Sequence, residues 1–180
     1  MKMLLLSIAL LILAPLGYAE NTIAPGFTLA NADDTQISFP RKHNGVDIYL
    51  FWATWCPYCK ALMPHLQSMQ IEYGDDIRIF AFNIRDEEDP WFYMEEKGYD
   101  FTLMLDADPL MKLYGVQGVP ALFLVDGAGL IHFNLYDMIF NDSEEYKALS
   151  HGKKAGYRAP NWAAEIRITI DKLLSERKSR

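Results

Sequence analysis

Cysteine is nearly absent from this chain. Two of 180 residues are Cys, and they stand three positions apart as Cys56 and Cys59. A multi-bridge disulfide framework and a closed four-cysteine zinc site are thereby excluded. Any disulfide formed within one chain joins these two. No internal repeat or low-complexity tract occurs, which excludes solenoid architectures. The longest apolar run, Met3 to Leu13, falls short of the ~20 residues that a spanning helix needs. No cysteine lies near its end, so a lipid-acylated N-terminus is excluded as well. Positive charge is also scarce: 17 Lys and Arg face 24 Asp and Glu, for a net charge of −7. That balance argues against nucleic acid as a partner.

What is present begins with a leader. Lys2 gives a positive start, Met3 to Leu13 an apolar stretch broken only by Ser7, and Pro15, Gly17 and Ala19 a helix break with small residues. This is the pattern of a secretory signal peptide cut after Ala19. Residues 1–19 are therefore expected to be a leader and residues 20–180 one domain, exported to the periplasm, with membrane attachment only if the leader stays uncleaved. Loss of Lys2 leaves 16 basic against 24 acidic side chains, a net of −8. Asp86 to Asp108 is acidic and Lys153 to Arg180 basic, both expected as solvated faces.

Hydrophobic patterning organises the remainder. Ala24 to Leu29, the turn residues Asn31 to Asp34, and Gln36 to Phe39 predict a leading hairpin. Val46 to Trp52 and Ile77 to Ile84 are apolar runs suited to strands buried on both faces. A helix is expected from Cys56 to about Tyr73, carrying Leu62, Leu66 and Met69 on one stripe and kinked at Pro64. Asp89-Pro90 opens a helix that Gly98 ends. Phe101 to Leu105 is a strand, and Asp108-Pro109 starts a short helix to Tyr114. Ala121 to Val125 and Leu130 to Leu135 flank Asp126-Gly127-Ala128-Gly129 as a hairpin. Ser143 to Leu149 is a short helix, His151 to Arg158 a basic loop, and Pro160 to Glu176 a last helix with Trp162, Ile166, Ile170 and Leu173 facing the sheet. The sum is an α/β fold with a central mixed sheet flanked by helices.

The chemistry concentrates at Phe51-Trp52-Ala53-Thr54-Trp55-Cys56-Pro57-Tyr58-Cys59-Lys60. A buried strand ends in a Cys-x-x-Cys that opens a helix. There the Cys56 sulfur meets unpaired backbone N–H groups and the positive end of the helix dipole, which favour thiolate over thiol. Pro57 suits the first helical turn. Cys59 lies one turn deeper, less exposed and placed to resolve a mixed disulfide. Cys56 is therefore expected to attack and Cys59 to resolve. The competing reading is a metal half-site in which Cys56, Cys59 and His65 hold copper or zinc. The site assignment takes no metal and no cofactor.

Gly115-Val116-Gln117-Gly118-Val119-Pro120 precedes a buried strand. A cis Val119–Pro120 bond there would offer the Val119 backbone to an extended substrate chain, in the manner of strand addition. Trp52 reads as core. Trp55 and Tyr58 flank Cys56 and read as an apolar rim for a polypeptide substrate, or as packing. Tyr136 to Ala159 is a long connection, either an ornament or a docking surface.

The Phe51–Lys60 motif, with Pro64 in the helix and Val119-Pro120 before a strand, resembles the thioredoxin superfamily. Ala24-Pro25-Gly26-Phe27-Thr28-Leu29 and the helix between Asp89 and Gly98 look like its TlpA/ResA-like exported branch, with an N-terminal hairpin and an inserted strand-helix segment. The resemblance covers Ala24 to Leu135. It implies a thioredoxin fold, thiol–disulfide exchange with Cys56 as nucleophile and Cys59 as resolver, and a cis proline at Pro120. It also implies a disulfide reductase of exported proteins, including cytochrome c maturation, with a membrane thiol donor as partner. The chain departs from the pattern at three points. Leu50 stands where a buried acid is usual, and Leu62 where the branch usually has glutamate. Pro57-Tyr58 is a dipeptide that resembles the less reducing glutaredoxins. Asp47, the nearest acid in sequence, is expected to be exposed at its strand's start. The alternatives are a thiol oxidase or isomerase of the same fold, and a copper chaperone built on the Cys pair.

Overall fold

The structure, a computed structural model, describes residues 22–140 and 142–179. The leader expected over residues 1–19 lies outside them. A six-stranded mixed sheet forms the centre. Its spatial order is β1 (Thr22–Ile23), β8 (Leu130–Asn134), β7 (Ala121–Asp126), β4 (Val46–Trp52), β5 (Ile77–Asn83) and β6 (Thr102–Met104). β4, β5 and β6 run parallel, while β7 is antiparallel to β4 and β8 to β7. β2 (Phe27–Ala30) and β3 (Gln36–Phe39) form the separate leading hairpin expected from the sequence. Asn31 fixes its turn by accepting the Asp33 and Thr35 N–H groups on Oδ1.

Every residue of β4 is buried. Side chains alternate across a strand, so β4 feeds two cores. Val46, Ile48, Leu50 and Trp52 join one cluster with Cys56, Cys59 and the helices α1 (Pro57–Tyr73) and α5 (His151–Lys178). Tyr49 and Phe51 join an aromatic cluster with Phe39, Phe80, Phe82 and Tyr114 beneath the hairpin. The sheet therefore separates an aliphatic core under the cysteines from an aromatic one.

The helix α2 (Pro90–Lys97) is capped as expected. Asp89 accepts the Trp91 and Phe92 N–H groups, and Gly98 closes the helix in the left-handed conformation with φ 66°. The helix α3 (Asp108–Leu113) departs from expectation. Its cap position is Ala107, and the Asp108 carboxylate instead accepts the Arg85 N–H. A short α4 (Glu144–Lys147) follows, capped by Ser143. The largest departure is α5, one helix of 28 residues running through both the expected basic loop at 151–158 and Pro160. Proline inside a helix costs ~3 kcal/mol and leaves the Gly156 carbonyl without its partner. The cause is an uninterrupted buried stripe: Ala155, Ala159, Ala163, Ile166, Ile170 and Leu174 recur every three or four residues on both sides of the proline. Burying that stripe, mainly against α1, outweighs the local penalty.

Candidate active site

Both parallel strands β4 and β5 end at the same edge of the sheet, with Trp52 opposite Asn83. The residues that follow them build the site. Ala53-Thr54-Trp55 leads from β4 to Cys56, the cap of α1, whose Sγ accepts the Cys59 N–H at 3.1 Å. Cys56 and Cys59 form a disulfide across a Cα separation of 5.3 Å. Pro57 occupies the first helical position, where a missing N–H costs nothing. The two cysteines are 1% and 0% exposed, so the expected contrast in their depth is slight. Trp55 beside them is 55% exposed, while Trp52 is fully buried.

The carboxylate that organises this edge was missed in the sequence. Asp86 accepts the Thr54 N–H and the Thr54 hydroxyl at 2.6 Å each, the Asn83 amide at 2.8 Å and the Glu88 N–H at 3.3 Å. Its partial burial alone would raise its pKa. The donors, led by Thr54, outweigh burial and hold the carboxyl below the usual carboxylate range. The neighbouring Arg85 carbonyl accepts the Trp55 indole N–H at 2.7 Å. The loop after β5 thus ties down both residues preceding Cys56. The signal was legible in principle: two buried parallel strands ending together bring Thr54 and Asp86 to one edge.

A second loop approaches from β7. The Val119–Pro120 peptide is cis. Tyr136 grips the residue before it: its hydroxyl donates to the Gly118 carbonyl at 2.5 Å and accepts the Gly118 N–H at 3.1 Å. Among the described residues the Val119 N–H and carbonyl make no hydrogen bond. On the other side, Tyr58 is half-buried, with its Oη 3.5 Å from His151 Nδ1 and its ring 6.1 Å from that of Trp162. Burial pushes the Tyr58 phenol up, and Tyr146 and Asp142 push the same way against Arg158. The long connection 136–159 therefore reaches both flanks of the site, through Tyr136 on one and Tyr146 and His151 on the other. Beyond Tyr146 it lines, with Asn161, an open pocket of about 450 Å³. Arg158 forms one wall, stacked 3.7 Å from the Phe140 ring centroid and ion-paired with Asp142.

Leu50 and Leu62 are fully buried in the cysteine-side core, as expected from their apolar character. Asp47 requires correction, being 1% exposed rather than solvated. It is enclosed because β5 and β7 flank it, placing it opposite Arg78 and Val125. Trp52 is five positions further along the strand, so Asp47 lies roughly 16 Å from the cysteine end. By alternation it faces the aromatic side. Burial pushes its carboxyl up to about 7, against the pull of Arg41 and Arg78. His65 is half-buried on α1. Among the described residues, no group of three or more His, Cys, Asp or Glu is placed to hold a metal ion.

Comparisons with known proteins agree with this geometry. The profile of the AhpC/TSA family matches residues 21–134. The thiol-disulfide oxidoreductase ResA of Geobacillus thermodenitrificans is 28% identical over 141 residues, covering 69% of this chain and 80% of that protein. The thiol:disulfide interchange protein DsbE of Escherichia coli is 35% identical over 85 residues. That match spans 46% of this chain and under half, 44%, of DsbE. The crystal structure of StoA from Bacillus subtilis superposes with a TM-score of 0.53 at 25% identity, over 62% of this chain and 87% of StoA.

Proposed function

This chain belongs to the AhpC/TSA family and is a thioredoxin-like thiol–disulfide oxidoreductase, and from that premise we propose that it is a periplasmic disulfide reductase of exported proteins. The observation that carries the reading is the Cys56–Cys59 disulfide at the cap of α1, with its outer sulfur on the Cys59 N–H. In the reduced protein the same N–H and the helix dipole favour the Cys56 thiolate. The thiolate attacks one sulfur of a substrate disulfide. A Cys56–substrate disulfide forms, and the other substrate sulfur leaves as a thiolate that takes a proton from water. Cys59 then loses its proton, attacks the Cys56 sulfur and releases the second substrate thiol. The protein is oxidised by two electrons and the substrate reduced by two. A dithiol donor at the membrane restores the pair. Cys56, Cys59 and Pro120 make up the catalytic set, and Trp55, Tyr58 and Val119 frame the substrate. The leader pattern at residues 1–19 supports export, and the TlpA/ResA-like resemblance of the motifs supports apocytochrome or its chaperones as one class of substrate.

The test is the reduction potential of the purified protein against glutathione, with copper and without. A value below about −200 mV with no copper bound supports the reductase; a value near −120 mV, in the range of a strong oxidant, overturns it. Stoichiometric copper that disappears on His65→Ala favours the chaperone reading instead. A Cys59→Ser protein should accumulate mixed disulfides with exported proteins, and an empty trap counts against exchange altogether.

A further inference from the structure

We infer that Tyr136 is a positioning residue that selects extended polypeptide disulfides over small ones, by locking Gly118 so that the Val119 backbone alone is left open to pair with a substrate strand. This rests on the exchange reaction proposed above. A single hydroxyl closes on both polar groups of one residue, accepting the Gly118 N–H at 3.1 Å and donating its own proton to the Gly118 carbonyl at 2.5 Å. It therefore fixes the peptide units on both sides of Gly118, a residue that carries no side chain and whose Cβ position is open space. Gly118 pays more entropy to hold one conformation than a residue with a side chain would. The next residue, Val119, has no hydrogen bond to its N–H or carbonyl among the described residues. The start of β7 lies at the edge where β4 ends, with Ala121 opposite Phe51, and an open backbone pair there is a strand-addition edge: main-chain hydrogen bonds give affinity without reading side chains. Such an edge binds only if it is held in one orientation, because the cost of ordering it is otherwise subtracted from the binding.

Tyr136 is itself well placed for the task. Asn134 accepts its N–H at 3.1 Å, so the turn that carries the tyrosine is anchored to the end of β8. The ring is 43% exposed and lies outside both buried cores, so its hydroxyl rather than its packing is the feature to explain. The residue sits at the start of the connection 136–159, whose other end touches Tyr58.

The experiment uses protein reduced beforehand and freed of reductant, mixed in single turnover with an excess of one of two oxidants. One is a short linear peptide whose single cysteine carries a nitrothiobenzoate; the other is Ellman's disulfide itself, which has no backbone to pair. Tyr136→Phe keeps the ring and deletes the hydroxyl. The expected result is a half-saturating peptide concentration raised roughly three- to tenfold, the worth of one ordinary hydrogen bond, with the limiting rate and the rate on Ellman's disulfide unchanged. Equal losses on both oxidants, or no change on either, overturn the inference while leaving the exchange reaction standing. A wild-type protein that turns over neither oxidant overturns the exchange reading and this one with it. Tyr136→Leu, lacking ring and hydroxyl, gives the same split if the hydroxyl is what matters, and a general loss if packing is.

Discussion

Two aspartates at opposite ends of the parallel strands have opposite fates. Asp86, at the cysteine end, receives four hydrogen bonds and is held below the usual carboxylate range. Asp47, at the far end, is more deeply buried, and neither of its oxygens makes a hydrogen bond among the described residues. His43 Nε2 comes within 3.0 Å of Oδ1, but not in hydrogen-bonding geometry. Burial pushes Asp47 up to about 7. Donors, rather than depth, decide the charge of a carboxylate. At neutral pH Asp86 is an anion that ties the active-site loop to β5, while Asp47, pushed up by burial, takes a proton far more readily and ties nothing comparable.

The comparison breaks hardest at the far end. A Cβ on Gly127 would sit 1.7 Å from the His43 carbonyl oxygen, a clash with backbone that no side-chain rotation relieves. Gly127→Ala should cost about 3 kcal/mol or more in urea unfolding, the scale of severe overpacking. Exchange per folded molecule should stay unchanged, because the damage lies a strand's length from Cys56. A mutant that loses activity in proportion while remaining folded would mean that the two ends are coupled.

The near end responds differently. Asp86→Ala strips the partner from the buried Thr54 hydroxyl and N–H, and should cost about 2 kcal/mol at pH 7. It should also slow exchange in the folded protein by loosening the residues before Cys56. Because the native carboxyl sits below its unfolded value, its stabilisation is present above about pH 4 and fades as the pH falls through the lower native pKa. The gap between wild type and mutant should therefore close in acid. A gap that stays constant down to pH 2 would assign the loss to packing instead.

How much of this was readable beforehand differs between the same two regions. β4, β5, the Cys-x-x-Cys at a helix start and the hairpins follow from local apolar runs and turn residues, and the structure matches them closely. The two aspartates do not, because their environments are tertiary. Asp47 looks like a polar strand start until β7 and β5 close over it. Asp86 looks like one acid among several until the common end of two parallel strands brings Thr54 to it. Tyr136 meets Gly118 across 18 residues of hairpin, with no local pattern to announce it. Pro160 misleads for a different reason: a strong local rule is overridden by an alanine-rich stripe whose spacing becomes meaningful only once α1 is there to receive it.

The smallest effect sharpens the contrast most. Asp47→Asn keeps the shape of the side chain and removes its charge. Folded Asp47 holds its proton to about pH 7, whereas in the unfolded chain it ionises near the ordinary aspartate value of 3.8. Between those two values the folded state binds a proton that the unfolded state has released, so wild-type stability falls as the pH rises through that window. A shift of about three units sets a ceiling of roughly 4 kcal/mol, reduced by whatever water and nearby cations reach the group. The cations are Arg41 and Arg78, and Tyr49 lies on the same strand. His43, pushed down by burial, Arg78 and Arg41 and pulled up by Asp126, gives the opposite slope. It lies 3.0 Å from Asp47, so any change in its own slope on removal of the carboxylate adds to the difference read here. The mutant should thus gain about 1–2 kcal/mol over wild type at pH 8 and almost nothing at pH 4. Urea titrations at the two pH values read that difference directly. A gain of equal size at both would mean that the amide simply packs better. A loss at pH 8 would mean that Asp47 is ionised and paired with a protonated His43, and the two aspartates would then differ in partner rather than in charge.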